Sequence, residues 1–98
     1  MKIEKNGSMV NVFVSGKLDA ISAPELEAEA SKYITSDVDR IVLDLKDSIY
    51  ISSAGLRVIL GFEKKMENAG GILLIRNTPD LVMEVFVETG LTDILTLE

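Results

Sequence analysis

Two adjacent serines at the start of a helix-like run are the residues of this chain whose types and spacing could do chemistry. Ser52 and Ser53 precede Ala54-Gly55, whose small side chains leave a helix start sterically open. A serine hydroxyl at that position can accept a backbone N–H bond as a helix N-cap. It can also carry a phosphate, because a helix N-terminus favours an anion. The residue types alone leave both roles open.

Other chemistry is restricted by composition. The 98 residues include no Cys and no His, which excludes disulfide frameworks, thiolate or histidine metal sites, cysteine nucleophiles and His-dependent triads. We therefore expect a protein that is not an enzyme and has no cofactor and no metal site. Ten Lys and Arg against sixteen Asp and Glu give a net charge of -6, which repels phosphate backbones and argues against nucleic-acid binding.

The chain also lacks the usual targeting signals. The segment from Met1 to Gly7 is polar and carries Lys2, Glu4 and Lys5, so it does not resemble a signal peptide. No apolar run approaches the roughly 20 residues that span a bilayer. We expect a soluble, cytoplasmic protein with no direct membrane insertion.

Hydrophobic periodicity predicts the elements that must position the serines. Val10, Val12 and Val14 alternate with other residues, which predicts a strand over Met9–Ser15 after a short N-terminal strand. Ser22, with Glu25 three residues later, predicts a capping box that opens the first helix. The remaining predicted elements are strand Ile41–Leu45, helix Ser53–Ala69 ending at Gly70-Gly71, strand Ile72–Ile75, a helix capped by Thr78 and ended by Gly90, and a last strand Ile94–Leu97.

The order β-β-α-β-α-β-α with a final β predicts an α/β fold. Strands that alternate with helices become parallel neighbours, so we expect a small mixed, mostly parallel sheet with helices packed against it, in one domain over residues 1–98. The loops at the carboxyl ends of the parallel strands are Gly16–Ser22, Lys46–Ser53 and Arg76–Thr78, and ligands and partners of such sheets bind at that edge. These loops contain hydroxyls and carboxylates but no histidine that could serve as a general base, which favours a site acted upon by another protein.

Two motifs carry a family resemblance. The first is Asp44-Leu45, a short loop, and then the run from Ile51-Ser52-Ser53-Ala54-Gly55 to Leu60; the second is Gly16-Lys17-Leu18-Asp19 followed by Ser22-Ala23. Both resemble the signatures of STAS domains, the anti-sigma factor antagonist family, and the likeness continues through Gly70-Gly71, Thr78-Pro79 and Gly90-Leu91.

The resemblance implies a regulator that binds a serine protein kinase, itself an anti-sigma factor, and thereby frees a sigma factor. In that family the kinase phosphorylates one serine at the start of the second helix and so breaks the complex, and a phosphatase resets the phosphorylated form. On this chain the acceptor position is Ser53. Many phosphorylated relatives have Asp before the acceptor, where this chain has Ser52, so Ser52 is the second candidate.

The same resemblance implies a partner-binding surface and leaves a second function open. Its residues are Asp19, Ser22, Ser52, Ser53, Gly55, Arg57 and Thr78. Arg57 could pair with a phosphate, pair with an acidic group of a partner, or remain solvated. The alternative function is a non-phosphorylated STAS adaptor in a transporter or stress-signalling complex.

Overall fold

A computed structural model describes all residues from 1 to 98. The strands are β1 (Lys2–Asn6), β2 (Met9–Leu18), β3 (Arg40–Ile51), β4 (Ile72–Arg76) and β5 (Thr96–Leu97). The helices are α1 (Ala23–Ser31), α2 (Ser53–Asn68) and α3 (Asp80–Glu88), followed by a 3-10 turn over Leu91–Asp93. The strands form one sheet in the order β1-β2-β3-β4-β5, antiparallel between β1 and β2 and parallel elsewhere. The predicted mixed, mostly parallel α/β fold is confirmed.

A single apolar core lies on one face of the sheet. The alternating residues Val10, Val12 and Val14 of β2 are buried together with the aliphatic residues of β3 and β4 and with the inward side chains of the three helices. Phe13, the residue between Val12 and Val14, is partly exposed on the opposite face. The period of two in β2 therefore sorts its side chains between the helix-covered face and the other face. None of the helices is both long and apolar enough to cross a membrane.

The predicted end of α2 is confirmed in detail. Gly70 has a φ of +76°, the left-handed conformation that glycine adopts without a Cβ penalty. Its N–H donates to the carbonyl of Glu67, and the N–H of Gly71 donates to the carbonyl of Met66 at 2.8 Å. These two bonds form a Schellman motif and satisfy the carbonyls that a helix end leaves free.

Helix α1 begins where it was predicted, directly after Ser22, but the predicted capping box is wrong, and so is the predicted start of α3. Ser22 has helical backbone angles, and its side chain accepts no hydrogen bond from the N–H groups of α1, because an N-cap side chain reaches those groups from extended backbone. Helix α3 begins one residue later than predicted, with Pro79 in the N-cap position. The Thr78 hydroxyl is buried without a hydrogen-bond partner.

The predicted loop Lys46–Ser53 is mostly strand, and the predicted loop Gly16–Ser22 is strand as far as Leu18, which is the main correction to the fold. Strands β2 and β3 remain paired beyond the body of the sheet as far as Leu18 and Ile51. The register shifts twice there: five steps along β2, from Phe13 to Leu18, face seven steps along β3, from Asp44 to Ile51. Strand β3 therefore carries two extra residues, and its buried positions in this part are Leu45, Ser48 and Ile51. A spacing of three hides the strand from a pattern of period two.

Candidate functional site

The paired ends of β2 and β3 bring the predicted site residues together. Leu18 lies opposite Ile51, and the backbone N–H of Ser52 donates to the carbonyl oxygen of Leu18 at 2.9 Å. Asp19, the residue after Leu18, and the start of α2 at Ser53 consequently lie at the same edge of the sheet. This is the edge that the parallel topology predicts for ligand and partner binding.

Gly55 fixes the distance between α2 and this strand pair. A Cβ atom at position 55 would lie 2.7 Å from the Leu18 carbonyl oxygen and 2.9 Å from Cγ1 of Ile51, closer than any real Cβ contact. Gly55 is itself buried. Its place in the motif is explained by the close approach of the helix to the backbone, and it offers a partner no side chain.

The hydroxyl groups of Ser52 and Ser53 have different environments. Ser52 is the N-cap of α2, with extended backbone, and its Oγ accepts a long hydrogen bond of 3.5 Å from the N–H of Gly55. Ser53 is the first residue of α2 and is exposed, and its hydroxyl forms no hydrogen bond within the chain. The structural role of a cap thus belongs to Ser52, which leaves the Ser53 hydroxyl available to another molecule.

Asp19 and Ser22 form a reciprocal capping arrangement, three residues before the capping box predicted for Ser22 and Glu25. The N–H of Asp19 donates to Ser22 Oγ at 3.0 Å, and the N–H of Ser22 donates to Asp19 Oδ1 at 3.1 Å. The N–H of Ala23 donates to the Asp19 carbonyl at 2.8 Å, which begins the helical turn. The Ser22 hydroxyl also donates to the carbonyl of Lys17 at 2.6 Å. Ser22 is therefore a structural residue of the α1 start, with its hydroxyl fully engaged.

The carboxylate of Asp19 is held in its charged form by backbone donors. The N–H groups of Ser22 and Ile21 donate to Asp19 Oδ1 and, in that order, lower the pKa of the carboxyl below its ordinary value. Asp19 thus presents a fixed negative charge beside the exposed serine edge.

The remaining predicted residues are placed at different distances from Ser53. Arg57 lies four residues along α2, one helical turn away on the same side, and it is exposed with no ion pair in the chain. Thr78 follows β4, so strand β3 lies between it and the Asp19 segment. The structure brings Asp19, Ser22, Ser52, Ser53 and Gly55 to the paired ends of β2 and β3, whereas Thr78 follows β4, whose pairing with β3 ends at Asp44.

The arrangement offers an acceptor hydroxyl and charge but no machinery to activate the hydroxyl. No basic side chain hydrogen-bonds to Ser53, and no three acidic side chains are grouped so that they could hold a metal ion. An exposed hydroxyl at a helix N-terminus can receive a phosphoryl group that another enzyme supplies.

Sequence patterns did not predict the exposed apolar side chains near the two serines. Ile21, Ile49 and Tyr50 are exposed apolar residues on the two segments that flank the Leu18–Ile51 pair. Ile49 and Tyr50 fell in a predicted loop, where no orientation could be assigned. The sequence offered one local indication of the irregular pairing, since a glycine within a strand often marks a β-bulge. That glycine is Gly16, whose φ is +72°.

Comparison with known proteins shows the family to which this chain belongs. The family model described as the STAS domain matches residues 1–98, so the chain belongs to the STAS domain family. Its fold is that of SpoIIAA: the unphosphorylated form superposes with a TM-score of 0.85 at 22% identity over 99% of this chain and 86% of that one. The phosphorylated form of the same Bacillus protein gives a TM-score of 0.79 at 21% identity over 99% of this chain and 89% of that one.

Sequence relatives narrow the class further. The chain is 34% identical to BtrV of Bordetella bronchiseptica over 96% of this chain and 81% of that protein. It is 30% identical to the anti-sigma-B factor antagonist of Bacillus subtilis over 97% of this chain and 86% of that protein. Within the STAS domains, the chain belongs with the anti-sigma factor antagonists.

Proposed function

We propose that this protein is an anti-sigma factor antagonist that is switched by phosphorylation of Ser53. It binds a serine kinase that acts as the anti-sigma factor, and this binding frees the sigma factor. Phosphate on Ser53 ends the complex, and a phosphatase restores the active form. The observation that carries the proposal is the Ser53 hydroxyl, which is exposed and unengaged at the N-terminus of α2.

The choice of Ser53 over its neighbours rests on hydrogen bonding. A kinase must draw the acceptor hydroxyl into its own active site, in line with the phosphate of its nucleotide. The Ser22 hydroxyl is bonded to Lys17 and Asp19, and Ser52 is half-buried with its oxygen turned to the N–H of Gly55. Phosphorylation of either would break a helix cap, whereas phosphorylation of Ser53 would break no bond within the chain.

The phosphate is expected to act on the partner interface and to leave the fold intact. An anion at an exposed helix N-terminus is favoured by about 0.3–1 kcal/mol, and the Asp19 carboxylate at the same edge offsets part of that gain. Arg57, one turn along the helix, is free to pair with the new charge. A partner surface that fits a neutral serine has no positive group to pair with the phosphate. Binding would then remove water from an unpaired charge, which weakens the complex.

The test uses the serine-kinase anti-sigma factors encoded in the same genome, each purified and incubated with this protein and ATP. Intact-mass analysis should show one phosphoryl group on the wild type and on Ser52→Ala, and none on Ser53→Ala. The phosphorylated protein should no longer displace a sigma factor from the kinase. If no kinase modifies the protein, the switch is refuted and the adaptor function in a transporter or stress-signalling complex takes its place.

A further inference from the structure

The segment Ser48-Ile49-Tyr50 reverses the usual distribution of polar and apolar side chains. Ser48 is only 4% exposed, the one buried polar residue of the chain, whereas Ile49 is 62% and Tyr50 is 51% exposed. Burying a serine while exposing an isoleucine and a tyrosine gives up apolar burial that the isolated chain could use. Such a local departure from the pattern of a stable fold is expected where a surface serves another purpose.

The irregular pairing of β2 and β3 produces this reversal. Ser48 lies opposite Gly16 and Tyr50 opposite Lys17, so Ile49 is an extra residue with no partner on β2. A β-bulge of this kind redirects the side chains that follow it. The Ser48 hydroxyl donates to the Gly16 carbonyl at 3.3 Å, and the left-handed backbone of Gly16 allows the facing strand to follow the bulge.

A third exposed apolar residue lies on the adjoining segment. Ile21 is 86% exposed in the turn that the Asp19–Ser22 bonds hold in place. Leu18 and Ile51, the last paired residues of β2 and β3, connect the two segments. We call Ile21, Ile49 and Tyr50 the apolar patch, since the pairing of Leu18 with Ile51 joins the two segments that carry them beside Ser52 and Ser53.

We propose that this apolar patch is the main affinity-determining contact with the anti-sigma factor that phosphorylates Ser53. The proposal rests on the proposed function and adds the residues that give the complex its binding energy. Tyrosine and isoleucine held on ordered backbone bind a partner at little entropic cost, and a few such residues dominate most interfaces.

The position of Ser53 indicates which protein covers the apolar patch. An enzyme that takes the Ser53 hydroxyl into its active site must cover the surface around it, and a specific interface buries about 800 Å² on each partner. Tyr50 is three residues from Ser53 along the chain, so an interface of that size includes the patch. The arrangement also explains the switch, because a phosphate beside the patch retains water at a contact that must be dry.

The experiment measures the affinity of each serine-kinase anti-sigma factor of the same genome for four variants: Ile49→Thr, Tyr50→Thr, Ile94→Thr and Ser53→Asp. Threonine keeps the β-branched shape that a strand prefers. Ile94 is 56% exposed and is the matched control for Ile49. It precedes β5 and so lies at the amino ends of the parallel strands, whereas the patch lies at the carboxyl ends of β2 and β3. Because these side chains are exposed, the melting temperatures of the threonine variants should stay within about 4 °C of the wild type.

Ile49→Thr and Tyr50→Thr are each expected to raise the dissociation constant at least tenfold, and Ile94→Thr less than twofold. If Ile49→Thr and Tyr50→Thr bind the kinase as tightly as the wild type does, the proposed role of the apolar patch is refuted. If Ser53→Asp alone then weakens kinase binding, the proposed function still stands. If no kinase binds the wild type, the proposed function and the patch are both refuted. A wild-type dimer that Ile49→Thr dissociates, with kinase affinity unchanged, would assign the patch to a second copy of this chain and overturn the proposal.

Discussion

The backbone N–H of Ser52 donates a hydrogen bond of 2.9 Å to the carbonyl oxygen of Leu18. This bond joins the end of β2 to the N-cap of α2 and, with the pairing of Leu18 and Ile51, holds the two STAS motifs of the chain together. Asp19 continues from one side of the bond and Ser53 from the other. Ser53 owes its position to this backbone pairing, so substitutions that disturb the pairing should affect the site without changing any of its side chains.

Gly55→Ala should destabilise the protein and misplace Ser53. Its methyl group would lie 2.7 Å from the Leu18 carbonyl oxygen, a backbone atom that cannot move aside without breaking the bond to Ser52. We expect a loss of about 1–3 kcal/mol in the free energy of unfolding, measured by urea titration, together with slower phosphorylation. Gly61→Ala, in the same helix and with open space around its Cβ, is the control and should gain about 0.5–1 kcal/mol. Equal effects of the two substitutions would contradict the close approach at Gly55.

Ser22→Ala should remove the capping arrangement at the start of α1. The substitution leaves the N–H of Asp19 and the carbonyl of Lys17 without their partner, which should cost about 0.5–2 kcal/mol of stability in a denaturant titration. Glu25→Ala should have a much smaller effect, because Glu25 takes part in no cap bond. A larger loss for Glu25→Ala than for Ser22→Ala would support the capping box predicted from the sequence.

Acid should weaken the Asp19 turn. The pKa of Asp19 is lowered in the folded protein, so its carboxylate adds stability that is fully present above the ordinary pKa of about 3.9. That contribution is lost as the pH falls through the lower pKa of the folded state. Asp19→Asn should therefore be less stable than the wild type at pH 7, and the difference should shrink as the pH falls below the ordinary pKa of Asp. Parallel melting curves measure it, and a difference that grows in acid would contradict the assigned hydrogen bonds.

The pKa of Asp37 provides a second test by titration. The hydrogen bond from Lys5 Nζ, at 2.6 Å, and the bond from the Thr35 hydroxyl lower the pKa of Asp37 to about 2. Carboxyl NMR titration of the wild type should give a midpoint near that value. Lys5→Met should move the midpoint up towards the ordinary value of Asp, while Lys2→Met, whose ion pair is with Glu4, should leave it unchanged.

Substitutions at Ser53 separate a switch from a structural residue. Ser53→Ala should still bind the kinase but resist release, because the acceptor oxygen is missing. Ser53→Asp puts a charge at a helix end that tolerates it, so melting should hardly change, while kinase affinity should fall more than tenfold. Ser52→Asp is the control: Asp caps a helix as well as Ser does, so binding should be retained. Equal kinase affinity of the wild type and Ser53→Asp, by calorimetry, would refute the switch.

Local sequence patterns determined a large part of this fold. The alternation of Val10, Val12 and Val14 identifies β2, and Gly70-Gly71 marks the end of α2, because these signals depend on neighbouring residues only. The order of strands and helices then predicts a mostly parallel sheet and its partner-binding edge. The position of Ser53 at that edge was likewise predictable, since its motif immediately precedes an amphipathic helix.

Tertiary structure alone decided how the site is assembled. Sequence patterns place Lys46–Ser53 in a loop, yet Leu45, Ser48 and Ile51 point inwards three residues apart, because two extra residues of β3 bulge where it follows β2. The capping at the start of α1 differs from the prediction for a similar reason: Ser22 bonds back to Lys17 and Asp19, and this arrangement forms only where β2 ends at Leu18. Pairing between strands that are distant in sequence determines which side chains face outwards. The exposure of Ile49 and Tyr50 beside Ser53 is therefore a property of the folded sheet, because their own residue types would favour burial.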